Sequence, residues 1–249
     1  MGEIDQKRKI WMTCRETGQR LIEKALAFQE ERKPEAFQMT EPVRVEYVAG
    51  SQHLQRGRYC PSVVRGLYLS NASRGSVLRR ITGKTKYSHR YFYGQEGKML
   101  MAETDASVSG RKLTEYFLYE GNAVLGFTFD DGGALLNLSE EDYREGKLQS
   151  YFFASCFIDR KSHMDFGILQ TVYEAYTHDA SGFSEVAIYN VSPCIEDPDG
   201  DSEINDLISS YRYRFVREKG LLIGGQPVDS AGILYYSVPK NAMTGEPIR

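Results

Sequence analysis

Charge is the first chemistry this sequence offers, and it is unevenly placed. Six acids and no base fall in the eleven residues from Glu196, among them Asp197, Asp199, Asp201 and Glu203. Asp130-Asp131 and Glu140-Glu141 add two shorter acidic clusters. Residues 51 to 90 are the reverse, with nine Lys/Arg and no Asp or Glu, so the remainder carries −12 within a chain total of −3. Patches of one sign attract partners of the other. The acidic clusters, read as solvated loops, would steer a basic protein. The basic stretch, with Arg79, Arg80, Lys84, Lys86 and Arg90 at its centre, would meet nucleic-acid phosphates, with Tyr68, Tyr87, Tyr91 or Tyr93 to stack on bases. The alternative for those cations is pairing with acids on neighbouring strands.

Covalent and metal chemistry leave no local mark. Gly83-Lys-Thr85 has the end of a phosphate loop, but the glycine required five positions before Gly83 is Leu78. Asp197-Pro-Asp-Gly-Asp-Ser-Glu203 begins like a calcium loop, yet its glycine is fourth instead of sixth and the twelfth position is Ile208. His53, His89, His163 and His178 share no ligand spacing with each other or with Cys14, Cys60, Cys156 and Cys194. The four isolated cysteines read as buried small apolar residues. The expectation is a protein that is not an enzyme and uses no cofactor or metal.

The elements that must position these residues are mainly strands. Seventeen Tyr and twelve Phe against one Trp favour sheet. Two aromatic runs, His89 to Met101 and Thr114 to Asp130, each break at a Gly-containing turn, Gly94-Gln-Glu-Gly97 and Glu120-Gly-Asn122, and predict successive hairpins. Alternation places Ala123, Leu125, Phe127 and Phe129 on one face, expected to be buried, and Val124, Gly126 and Thr128 on the other, with Gly126 marking a bend. Val43 to Val48 predicts a strand with Val43, Val45 and Tyr47 inward. Further strands are predicted at Val63–Leu69, Ser76–Thr82, Ala134–Leu138, Gln149–Ile158, Ile168–Thr177, Phe183–Val191, Ser210–Val216 and Gly232–Pro239. Ser139 to Asp142 reads as one capped helical turn. In Ser210–Val216, Tyr211, Tyr213 and Phe215 share one face and Arg212 and Arg214 the other.

Before the sheet, residues 1 to 34 hold a helix with Ile10, Cys14, Gly18, Leu21, Ala25 and Phe28 on one stripe, ended by Pro34. Gly18 in that stripe would let the helix lie close to the sheet. Residues 240 to 249 read as a loose tail. The fold class expected is β-rich α+β: a large, curved, mostly antiparallel meander with the N-terminal amphipathic helix packed on it, in a single domain over 1–249. No apolar run reaches bilayer length and no secretory leader pattern opens the chain, so a cytoplasmic location without membrane contact is expected.

The hairpins Tyr91-Phe-Tyr-Gly-Gln-Glu-Gly-Lys-Met-Leu and Tyr116-Phe-Leu-Tyr-Glu-Gly-Asn-Ala-Val-Leu resemble segments of bacterial immunity proteins from contact-dependent or polymorphic toxin systems. The resemblance implies a protein that binds one cognate toxin and neutralises it. Joined to the acidic clusters, the reading becomes an antitoxin-like inhibitor of a basic nuclease. Two alternatives stay open: a nucleic-acid binder using the basic stretch, and a half-barrel that closes on an apolar ligand.

Overall fold

In a computed structural model the chain is a mostly antiparallel sheet with its N-terminal helix packed on it. The structure describes residues 2–31, 42–50, 56–64, 74–80, 82, 87–106, 111–180, 182–192, 201–218, 221–228 and 234–235. Helix α1 is Glu3–Glu31. The strands are β1 Arg44–Ala49, β2 Ser76–Val77, β3 His89–Tyr93, β4 Met99–Ala106, β5 Arg111–Glu120, β6 Ala123–Asp130 and β7 Leu135–Arg144. They continue as β8 Lys147–Asp159, β9 Met164–Asp179, β10 Gly182–Val191, β11 Ile208–Glu218, β12 Leu221–Pro227 and β13 Leu234–Tyr235, and a short helix, α2 (Asp201–Leu207), precedes β11. Strand neighbours follow chain order from β3 to β13, and β1 lies between β3 and β2. That meander is what a run of aromatic strands joined by glycine turns dictates.

The contacts divide the chain into two compact units. The first holds residues 1–38, 118–176 and 187–211. Here α1 buries Trp11, Cys14, Gly18, Leu21 and Ala25. A side chain at Gly18 would collide with Ile168, its Cβ falling 2.2 Å from that residue's Cδ1 and 3.7 Å from the Phe152 ring, so the glycine permits the close helix–sheet approach its position foretold. Phe28 packs on Phe127, ring centroids 5.7 Å apart. Around this apolar contact the helix is pinned by polar ones: Arg20 to Glu140, Lys24 to Glu120 (2.8 Å), Gln29 to the Gly133 carbonyl (2.7 Å) and Lys7 to Asn205 (2.8 Å). Leu125, Phe127 and Phe129 are buried as expected, but so are Gly126 and Thr128 on the other face, while Ala123 is half-buried, so β6 is covered on both sides at its centre. The irregularity in β6 falls between Thr128 and Phe129, however, and Gly126 pairs regularly with Ser139.

The second unit holds residues 39–117, 177–186 and 212–249. In it β1 pairs with β3 and β3 with β4, with Arg44, Glu46 and Val48 opposite Tyr93, Tyr91 and His89. The segment Arg56–Val64, which includes a 3-10 turn at Gly57–Tyr59, packs its residues into the interior. Tyr91 ties it down: its hydroxyl donates to the Arg56 carbonyl (2.8 Å) and accepts from the Arg58 amide (3.1 Å). Tyr59 reaches β1, donating to Glu46 (2.5 Å).

That cover explains one correction. Val43 is 63% exposed and Val45 is also exposed, while Val48 is buried, so the inward face of β1 is the opposite of the one alternation predicted. The face holding Glu46 is inward because Tyr59 meets its carboxylate there. Two more expectations fail. Ser139 to Asp142 is part of β7 and not a helical turn, and the strand expected at Ser76–Thr82 is only Ser76–Val77. Along β11, Tyr213 and Phe215 are buried and Tyr211 is exposed. The strand predicted at Val63–Leu69 and the tail 240–249 lie largely or wholly outside the described residues.

Candidate functional site

The acidic residues singled out from sequence separate sharply. Glu141 is not in a solvated loop: it is buried in β7 and accepts from the Tyr143 hydroxyl (2.6 Å). Glu140, also in β7, is paired with Arg20 of α1. Glu174 repeats the Glu141 arrangement in β9, buried and bonded to Tyr176 two residues on. The strand registers set buried Tyr151 between Glu141 and Glu174. These carboxylates belong to the interior. Asp201 and Glu203 lie in α2 instead of an acidic loop, and Asp197 and Asp199 lie outside the described residues. Asp130 and Asp131 stand at the β6–β7 turn, where Asp130 accepts from the Ala134 amide (2.8 Å) and Asp131 is exposed.

The basic stretch is largely consumed internally. Arg56 is buried against Glu115 (2.7 Å) and over the Phe117 ring. Arg58 donates to the Gly75 carbonyl, and Arg74 to the carbonyls of Arg58, Cys60 and Ser62. Arg90 stands directly opposite Glu103 in the β3–β4 register and pairs with it, so its charge is met across the sheet. Arg79 and Arg80 are exposed, and Lys84 and Lys86 lie outside the described residues.

Nucleophiles are equally subdued. Cys14, Cys60 and Cys156 are buried and reduced, and burial pushes the Cys14 and Cys156 thiols up to about 12, away from thiolate reactivity. Burial also raises the hydroxyls of Tyr91 and Tyr93 above the usual phenol range. It lowers His89 to about 4, which keeps the imidazole neutral near pH 7. Among the described residues no cluster of His, Cys, Asp or Glu could hold a metal.

What the sequence reading missed is at the tip of the β8–β9 hairpin. Phe166 is 64% exposed, Leu169 52% and Met164 43%. Their exposure has a backbone cause. In the β8–β9 register Ile158 faces Asp165 and Phe157 faces Gly167, so Phe166 is an extra residue; Ser155 faces Gln170 and Cys156 faces Ile168, so Leu169 is another. Two bulges thus lie three residues apart in one strand, each inserting a large apolar residue that the backbone register leaves without a directly opposite residue. Bulges bend a strand and re-aim side chains, and they are commonly retained where a surface is used.

The tip is also held in place. Lys161 donates to the Gly132 carbonyl (2.5 Å), which fixes the β8–β9 turn on the β6–β7 turn, and Arg160 pairs with Glu30 at the end of α1. Asp159 accepts from the Ser162 hydroxyl (2.5 Å) and the Lys161 amide (2.9 Å), and these bonds, Ser162 first, hold its carboxyl below the usual range. Asp165 accepts from the Gly167 amide (2.8 Å), where a φ of +60° at Gly167 closes the turn. Asp131, Asp159, Asp165 and Glu30 lie on these turns and at the end of α1 together with Arg160 and Lys161, and of the four acids Asp131 and Asp165 are exposed and, among the described residues, in no ion pair. The sequence signal was present in Met164-Asp-Phe-Gly-Ile-Leu169, directly after a polar turn, but an apolar residue that points outward at a bulge breaks the period by which strands are read.

No protein-family model matches this chain, and no curated protein matches its sequence. Among the described residues no helix is long and apolar enough to cross a membrane.

Proposed function

We propose that this protein is a non-enzymatic binding protein of the immunity type, which neutralises a basic nuclease toxin by docking it on the exposed apolar tip of the β8–β9 hairpin. The single observation that carries the reading is the pair of bulge residues, Phe166 and Leu169, turned to solvent on an anchored turn. A large exposed aromatic on a fixed backbone is the residue type that anchors protein interfaces, because it buries much area with little loss of side-chain freedom. The exposed carboxylates of Asp131 and Asp165 on the neighbouring turns would speed encounter with a positively charged partner and compete with its nucleic-acid substrate. The resemblance of the Tyr91 and Tyr116 hairpins to immunity proteins points the same way.

A nucleic-acid role for residues 56 to 90 has less support, since Arg56, Arg58, Arg74 and Arg90 are engaged within the protein. The test is photocrosslinking in the producing cell with a photoreactive phenylalanine at position 166. The expected product is a covalent complex with one basic protein whose nuclease activity this chain inhibits. Crosslinking to RNA, or to no macromolecule, would overturn the proposal.

A further inference from the structure

One of the apolar side chains at the β8–β9 tip carries an atom that can change its chemistry. Met164 is 43% exposed and stands opposite Asp159 in the register. The extra residue of the nearby bulge is in β9, so β8 runs on unbroken and its Phe157 and Asp159 share a face. Phe166 packs on Phe157 and Met164 lies opposite Asp159, which puts the thioether and the exposed ring on that same face. Arg160 and Lys161 anchor the turn just before it, so the sulfur is presented on a fixed backbone.

The other sulfur atoms among the described residues are placed differently. Cys14, Cys60 and Cys156 are buried, as is Met101, and Met99 is half-buried. Met12 is exposed, but it lies on α1 well before Glu30, the residue that meets Arg160 of the β8–β9 turn. At a rise of about 1.5 Å per residue that is ~27 Å along the helix. Oxidation of sulfur follows exposure, so Met164 and Met12 react ahead of the rest, and of these two only Met164 belongs to the tip.

The reaction is oxygen transfer. Hydrogen peroxide gives one oxygen to the Met164 sulfur: the O–O bond breaks, an S–O bond forms, the thioether loses two electrons and the peroxide leaves as water. A methionine sulfoxide reductase reverses the change, two thiols supplying the electrons and closing to a disulfide as the oxygen departs as water. The sulfoxide sets a strongly polar group among Phe166 and Leu169, and a partner covering the tip must strip water from it.

We infer that Met164 is a redox modification site: its oxidation to the sulfoxide by a peroxide weakens docking at the tip, and enzymatic reduction restores it. The inference rests on the reading of the tip as the docking surface and adds a means of regulating it.

The test treats the full chain with hydrogen peroxide, maps the methionines by mass spectrometry, and measures affinity by surface plasmon resonance for the basic nuclease captured at position 166. Met164 and Met12 should convert before Met99 and Met101. With Met164 converted, Kd should rise roughly tenfold or more, and methionine sulfoxide reductase should bring it back. Met164→Leu should abolish the response to peroxide, judged against the same variant untreated, whereas Met12→Leu should retain it. Conversion of Met99 or Met101 ahead of Met164 would overturn the inference. So would a Kd that conversion of Met164 leaves unmoved, or a peroxide effect that persists in Met164→Leu. Any of these sinks the redox site alone, since the nuclease is still bound; capture of no nuclease by the untreated chain sinks the docking reading and this inference with it.

Discussion

Phe157 and Phe166 meet across the β8–β9 hairpin with ring centroids 5.9 Å apart, yet Phe166 keeps most of its surface in solvent. The contact fixes the base of the exposed ring without hiding it. An aromatic side chain held from one side is already partly ordered, so a partner that covers the other side loses less entropy on binding. This pairing separates the tip from an exposed hydrophobic residue of no consequence.

Arg56 and Glu115 test whether the basic stretch is structural. The pair is almost wholly buried, and Arg56 also lies over the Phe117 ring at 4.4 Å. Arg56→Ala should cost about 3–5 kcal/mol in urea unfolding because it strands a buried carboxylate. The double change Arg56→Met/Glu115→Leu should recover most of that loss, because no unpaired charge remains. If Arg56→Ala cost less than about 1 kcal/mol, the pair would not be the fastening it looks to be.

His89 gives a pH dependence of definite sign. Burial lowers its folded-state value from 6.5 to about 4, so the unfolded chain takes up a proton first as pH falls. Its contribution is full above pH 6.5, is lost progressively between pH 6.5 and 4, and changes no further below that. At about 1.4 kcal/mol per unit the loss is on the order of 3 kcal/mol. His89→Phe should remove this part of the slope in a wild-type-minus-variant comparison of unfolding free energies. Parallel curves between pH 4 and 6.5 would show that the imidazole reaches water.

Gly18 limits how close α1 can come to the sheet. Gly18→Val adds volume where even a Cβ meets Ile168, and overpacking of this kind costs about 1–3 kcal/mol, against a modest gain in helix propensity. Thermal unfolding should show a lower Tm. An unchanged or raised Tm would mean that Ile168 moves aside freely.

How far the sequence could be read depends on how local the cause is. The hairpins at His89 and Thr114 declare themselves because strand, glycine turn and return strand lie within 13 and 17 consecutive residues. The α1 stripe is legible for the same reason, although it runs through Trp11, with Ile10 only half-buried. The inward face of β1 is not legible, because it is decided by Tyr59 reaching Glu46 from a separate segment. Arg56 carries no local sign that its partner is Glu115, 59 residues away. Glu141 and Glu174 were discoverable: Glu141-Asp-Tyr143 and Glu174-Ala-Tyr176 each put a tyrosine on the same strand face as its carboxylate, a spacing that marks an internally held acid. The acids left to face solvent at the hairpin tip lie in ordinary-looking turns, and only the two bulges show that apolar residues stand among them.

The most direct test of toxin binding through that tip is the affinity of wild type and Phe166→Ser for the basic nuclease captured at position 166, measured by surface plasmon resonance at physiological salt. Phe166→Ser should leave the unfolding free energy within about 0.5 kcal/mol, since the side chain is mostly exposed, and raise the Kd by about 30-fold or more, as removal of an interface anchor worth 2 kcal/mol does. A Kd within twofold of wild type would contradict the account.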